Sequence, residues 1–127
     1  AVTFKTVISQ ISEVKKGDSI GYSRKYKAEK DTRIATIPVG YADGIPRLIG
    51  NKNGFVSIHK QKVPIVGNIC MDMLMVDLEN LPAKDGDKVI IFNENPSLEE
   101  FSKYCKTIPY EVLTSISRRV KRIYIKN

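Results

Sequence analysis

Four short segments carry side chains whose types and spacing could do chemistry. In "GYSRKY", Tyr22 and Tyr26 stand four apart with Arg24 and Lys25 between them. A phenol ionises near pH ~10, so holding one as a base at neutral pH costs on the order of 4 kcal/mol unless positive or hydrogen-bonding neighbours offset it. Positions four apart in a strand also share a face, and the same pair fits an aromatic face packed on a core. In "PVGYADGIPR", Tyr41 leads from a buried-type strand into an Asp-Gly turn that ends at Pro46 and Arg47. In "PIVGNICMDMLMVD", two apolar runs are interrupted at Cys70-Met71-Asp72, and a break between buried strands exposes N–H groups that can grip a carboxylate. In "TIPYEVLTSISRRV", Tyr110 stands at the start of a helical pattern, a position suited to anions.

The elements that must position these residues are mostly strands. Runs rich in Val, Ile and Phe recur at Phe4 to Val14, Arg33 to Val39, Phe55 to His59, Val63 to Ile69, Leu74 to Leu78, Lys88 to Phe92 and Val120 to Ile125. Between them lie "KKGD", "YADG", "NKNG" and "AKDGD", each offering Gly with Asp or Asn for a turn. This spacing predicts a mainly β fold, a partly open antiparallel barrel of Greek-key type. Two short helices are expected near the C-terminus. Ser97 and Glu100 form a capping-box signature ahead of Leu98, Phe101 and Cys105, and Pro109 opens a second pattern with Val112, Leu113 and Ile116 on one face.

With 127 residues, 42% hydrophobic and 28% charged, the chain reads as one domain over residues 1–127 with its own core. No apolar run approaches the ~18 residues that span a bilayer, and the start of the chain has no signal-peptide pattern. Cys70 and Cys105 form no CxxC, and His59 is the only histidine, so neither a disulfide framework nor a metal site is expected and a reducing, cytoplasmic setting is. Within this chain, the lone histidine also excludes a His-based triad that needs a second histidine. The net charge of +7, with five cations among the last ten residues, admits a basic β-barrel that binds nucleic acid. The tail "SRRVKRIYIKN" also fits an edge strand whose cations block unwanted pairing.

Taken together, in this order and at these distances, the four segments resemble the C-terminal β domain of bacterial alanine racemase, over about Phe4 to Tyr124. The resemblance implies half of an enzyme that uses pyridoxal phosphate to interconvert L- and D-alanine for cell-wall synthesis. The other half would be an N-terminal α/β barrel, which this chain lacks. By position, Tyr22 matches the tyrosine base that works on one face of the substrate, and Tyr26 the second tyrosine of that motif. Met71 matches the residue whose backbone N–H holds the substrate carboxylate. Tyr110 matches the tyrosine that contacts the cofactor phosphate, and Tyr41, Arg47 and Asp72 match residues lining the substrate corridor. No lysine here lies in the family's cofactor-lysine motif, so the second base belongs to the barrel and the fragment alone is expected to be inactive. The family further implies a homodimer in which the β domain of one subunit packs on the barrel of the other, with neither nucleic acid nor membrane as a partner. Ser23 and Met73 stand where the family usually has glycine and glutamine. A purely structural dimerisation domain is a third reading, and related serine racemases share much of the motif set.

Overall fold

The computed structural model describes residues 2–20, 26–94 and 96–123. Seven strands form one antiparallel sheet: β1 (Phe4–Val7), β2 (Gln10–Val14), β5 (Thr32–Ile37), β6 (Phe55–Ile58), β7 (Gln61–Val66), β8 (Leu74–Asp77) and β9 (Lys88–Phe92). A separate two-stranded ribbon pairs β3 (Ser19–Ile20) with β4 (Tyr26–Lys27). Two seven-residue helices follow, α1 (Leu98–Tyr104) and α2 (Pro109–Ser115).

The sheet order is β1-β9-β6-β7-β8-β5-β2, so the two edge strands are neighbours in sequence. Only Ile8 and Ser9 separate them. At about 3.3 Å per residue this brings the edges close, and the sheet must curl into a partly open barrel. The expected single run from Phe4 to Val14 therefore divides. The Ile8 N–H donates to Asp87 O at 2.9 Å and the Ser9 N–H to Thr36 O at 3.0 Å, which marks where the chain leaves one partner for the other. Strands β6, β7 and β8 form a meander and β5 lies beside β8, which is the Greek-key arrangement. Its long connection, residues 38–54, crosses the barrel end and carries two 3-10 turns, Tyr41–Asp43 and Arg47–Ile49.

Alternation along the strands fills the interior. Ile37, Ile49, Val56, Ile65, Val76 and Val89 are fully buried. Helix α1 closes the barrel by placing Phe101 against Phe92, ring centroids 5.4 Å apart. Its first turn starts where the sequence predicts, with the Ser97 hydroxyl accepting from the Glu100 N–H at 3.0 Å. The other half of the expected capping box is diverted, because the Glu100 carboxylate accepts from the Tyr104 hydroxyl and pairs with Lys62.

Two expectations need correction. The run from Val63 to Ile69 ends as a strand at Val66, because Gly67 turns the backbone to φ 70°. The described part of the tail, up to Ile123, is not a strand: Ser117 to Val120 form a turn, closed by the Val120 N–H on Ser117 O at 3.1 Å.

Candidate active-site wall

The Greek-key crossover, the β7–β8 connection and the turn after α2 meet at one end of the barrel. The crossover supplies two consecutive N–H groups. Tyr41 N–H donates to Cys70 O and Ala42 N–H to Met71 O, both at 3.0 Å. This approach requires glycine at the preceding position, since a Cβ on Gly40 would lie 2.2 Å from Cys70 O and 2.5 Å from Met71 O.

The consequence falls on Met71. In a trans peptide the C=O and N–H point in opposite directions. Pinning Cys70 O toward the crossover therefore turns the Met71 N–H away from it. Among the described residues no acceptor pairs with that N–H, and Met71 is 53% exposed. The loop thus presents an oriented, free donor.

Asp43 ties the crossover to the C-terminal turn. It is buried, 7% exposed, and one carboxylate oxygen accepts from the Gly40 N–H at 2.9 Å. The other accepts from Arg119 Nε at 2.7 Å. The same guanidinium extends Nη2 to Asp72 at 2.7 Å. Flanked by these two carboxylates, Asp72 first and Asp43 second, Arg119 is pushed further above its ordinary pKa. Arg122 holds the turn that presents Arg119, donating to the carbonyls of Ile116, Ser117 and Val120 at 3.0 to 3.1 Å. Gly44, at φ 107°, seats the crossover on the end of α2, where a Cβ would meet Ser115 O at 2.5 Å.

Tyr41 is half exposed, and the Arg47 guanidinium lies 5.9 Å from its ring centroid. Tyr110, in the first turn of α2, is 73% exposed. With seven residues and a proline at its start, α2 offers an anion little beyond the Tyr110 hydroxyl itself. Tyr41, Met71 and Asp72 are thus brought together with Arg47 beside them, and Tyr110 is carried by the helix that Gly44 abuts.

Tyr22 lies outside the described residues, as do Gly21, Ser23, Arg24 and Lys25. Ile20 pairs with Tyr26, and both pack with Ala28, Ile34 and Val66 at the root of the loop that carries Met71. Tyr26 has a structural environment: its hydroxyl donates to Asp77 at 3.2 Å, and burial, reinforced by Asp77, pushes its pKa up to about 12. It stays a neutral phenol at physiological pH.

In the sequence Asp43 reads as part of an Asp-Gly turn and Arg119 as one cation of a basic tail. Both belong to this network, and the Asp-Gly turn in "YADG" was the only local signal for either. Lys62 shows the opposite of what a nucleophilic amine needs, since bonds to Glu100 and Tyr104 raise its pKa. Among the described residues no group of three His, Cys, Asp or Glu side chains could hold a metal.

The strand order and these contacts define a Greek-key barrel domain that gathers polar groups from three loops at one end. The chain belongs to the alanine racemase C-terminal domain family, which it matches over residues 1–124. It is 43% identical to the alanine racemase of Clostridium tetani and 44% identical to alanine racemase 2 of Caldanaerobacter subterraneus, covering 99% and 98% of this chain and 34% and 33% of theirs. Its fold superposes on an alanine racemase from Bartonella henselae, with covalently bound pyridoxal phosphate, at a TM-score of 0.92 and 39% identity, over 97% of this chain and 34% of that one. An alanine racemase from Clostridium difficile in complex with cycloserine gives 0.90 and 42%, over 98% and 33%. The chain therefore spans about a third of the length of these relatives. The comparisons give no support to a nucleic-acid module, and the tail cations Arg119 and Arg122 are engaged within the fold.

Proposed function

We propose that residues 1–127 form one domain that supplies one wall of the active site of a cytoplasmic alanine racemase, the rest of the site being built by an N-terminal barrel domain. The observation that carries this reading is the free, oriented N–H of Met71 at the open end of the barrel. An α-amino acid presents a carboxylate, and a backbone N–H turned outward through its own peptide carbonyl is a donor already facing the open end to receive it. Tyr41, Arg47 and Asp72, on and beside the loop that carries that donor, would line the approach. Their exposure leaves them available to the barrel of a second subunit in a homodimer. The cytoplasmic setting rests on the unpaired Cys70 and Cys105; no helix of the described residues is long and apolar enough to cross a membrane.

Pyridoxal phosphate, when bound, supplies the electron sink that lets an α-carbon give up its proton. The exposed Tyr110 hydroxyl fits a contact to its phosphate, as a neutral donor to an anion. Tyr22 would move a proton at its phenol oxygen on one face of the substrate, opposite a lysine from the barrel. Its activating cations would come from outside this chain.

The test is Tyr22→Phe in the full-length enzyme, which keeps the ring and removes the hydroxyl. Racemisation should fall by roughly 10²–10⁴-fold. It should fall equally in both directions, because enantiomers have equal free energies. Exchange of the α-hydrogen of D-alanine with solvent deuterium should persist, since the barrel lysine serves that face. Near-normal racemisation would make Tyr22 a packing residue and end the assignment.

A further inference from the structure

The Arg119 guanidinium joins the buried Asp43 of the crossover to the exposed Asp72 of the β7–β8 loop, with both contacts at 2.7 Å. The two loops are also joined through Tyr41 N–H to Cys70 O and Ala42 N–H to Met71 O. Together these bonds make a closed ring: Arg119, Asp43, the Gly40–Ala42 backbone, the Cys70–Met71 peptides, Asp72 and back to Arg119. A peptide held only by its carbonyl can still rock about that bond. A loop fixed on both sides of Met71 cannot.

We infer that Arg119 is a positioning residue that fixes the direction of the Met71 N–H and offsets the carboxylate charge beside it. The inference rests on Met71 holding the substrate carboxylate, as proposed above. Two physical effects act together. The planar guanidinium fork meets two carboxylates at once, which a lysine ammonium on a flexible stem does not reproduce. Asp72 immediately follows the residue whose amide would receive a substrate anion, and without Arg119 its charge would repel that anion across an open, solvent-accessible end of the barrel. Arg122 supports the arrangement by gripping three carbonyls of the turn that carries Arg119. The sequence separation of 76 residues between Arg119 and Asp43 makes this a tertiary device, formed only when the C-terminal turn has docked.

The experiment uses the full-length holoenzyme and its Arg119→Ala and Arg119→Lys variants. Steady-state kinetics should show KM rising for L- and D-alanine alike, by about tenfold in Arg119→Ala, with kcat changed little. The increase should shrink as ionic strength rises, because part of it is repulsion from Asp72. Arg119→Lys should recover part of the loss. The second readout is amide hydrogen exchange of the peptide containing Met71, measured with and without propionate, a carboxylate that lacks the amino group. In the wild type, propionate should slow exchange at Met71, and in Arg119→Ala that protection should weaken while exchange in β7 and β8 stays unchanged. If propionate leaves the wild-type Met71 amide untouched, the carboxylate-holding reading itself falls. If propionate protects the wild type and Arg119→Ala equally, or if KM does not move, Arg119 has no positioning role and the inference alone is overturned. Should Arg119→Ala fail to fold, Asp72→Asn, which keeps the Asp43 contact, decides the matter: it should loosen the Met71 amide, and unchanged exchange and KM would refute the ring.

Discussion

Replacing Gly40 with alanine should damage substrate binding through backbone displacement alone. The added Cβ would stand 2.2 Å from Cys70 O, 2.5 Å from Met71 O and 2.6 Å from the Met71 carbonyl carbon. Ordinary non-bonded contact needs roughly 3.5 Å, so the loop must retreat by about 1 Å. All three atoms belong to backbone, and no flexible side chain can yield in their place. Such a retreat stretches the Tyr41 to Cys70 and Ala42 to Met71 hydrogen bonds, now 3.0 Å each, beyond useful length. Losing both should cost about 1–3 kcal/mol of stability.

The larger effect is on the donor. A hydrogen bond to a charged group contributes about 1.5–3 kcal/mol, so misdirecting the Met71 N–H should raise KM by roughly tenfold to a hundredfold. Both enantiomers carry the same carboxylate, and the increase should be alike for L- and D-alanine. The assay is coupled racemisation by the full-length enzyme in each direction, with the variant's fold checked by denaturant unfolding. A Gly40→Ala enzyme with KM unchanged in both directions, and wild-type exchange at the Met71 amide, would refute the account of how this loop is held.

Three further outcomes follow from the barrel itself. Asp77, buried, accepts from the Thr32 hydroxyl at 2.5 Å, the Tyr26 hydroxyl at 3.2 Å and the Glu79 N–H at 3.0 Å; Asp77→Ala strands these donors and should lower stability by roughly 2–4 kcal/mol in denaturant titration, whereas Tyr26→Phe should cost only about 1 kcal/mol. Because Tyr26 holds its proton up to about 12, above the ordinary phenol value, the folded state binds that proton more tightly than the unfolded chain; the stability it contributes is complete below pH ~10 and is lost as pH rises from ~10 toward ~12, a window that Tyr26→Phe should flatten. Burial pushes the Cys105 thiol up to about 11, so iodoacetamide near neutral pH should label the half-buried Cys70 and spare Cys105 until the protein unfolds; modification of Cys105 first would contradict the packing of α1.

The strand runs were legible because each alternates or stays apolar over four to six residues between turn signals, and such patterns are local. Where a strand changes partners, nothing local marks it. Phe4 to Val14 reads as one run since the switch at Ile8 and Ser9 is set by Asp87 and Thr36, which lie far along the chain. The tail failed for the opposite reason. Its alternating Val120, Arg122 and Lys121, Ile123 match a strand's period, but Arg122 turns back on the carbonyls of Ile116, Ser117 and Val120 and so fixes a turn. Met71, Tyr41 and Asp72 could be proposed from the sequence because they sit in segments whose order resembles a known family. The carboxylate and guanidinium that tie their loops together were not legible: Asp43 was absorbed by its turn and Arg119 by its basic neighbours.

That division has a physical cause. Groups that would touch a small anion lie on loops, exposed and with few neighbours, and a short local motif can carry them. The groups that orient those loops must be buried or paired, and their partners are chosen by the tertiary fold. In this barrel the partners come from the Greek-key crossover and from the turn after α2, brought together because β5 returns beside β8 and leaves residues 38–54 to span the barrel end. An arginine that the sequence shows only as one cation of a basic tail thus becomes, once that crossing is made, the link between the loop that would receive the substrate and the loop that would aim it.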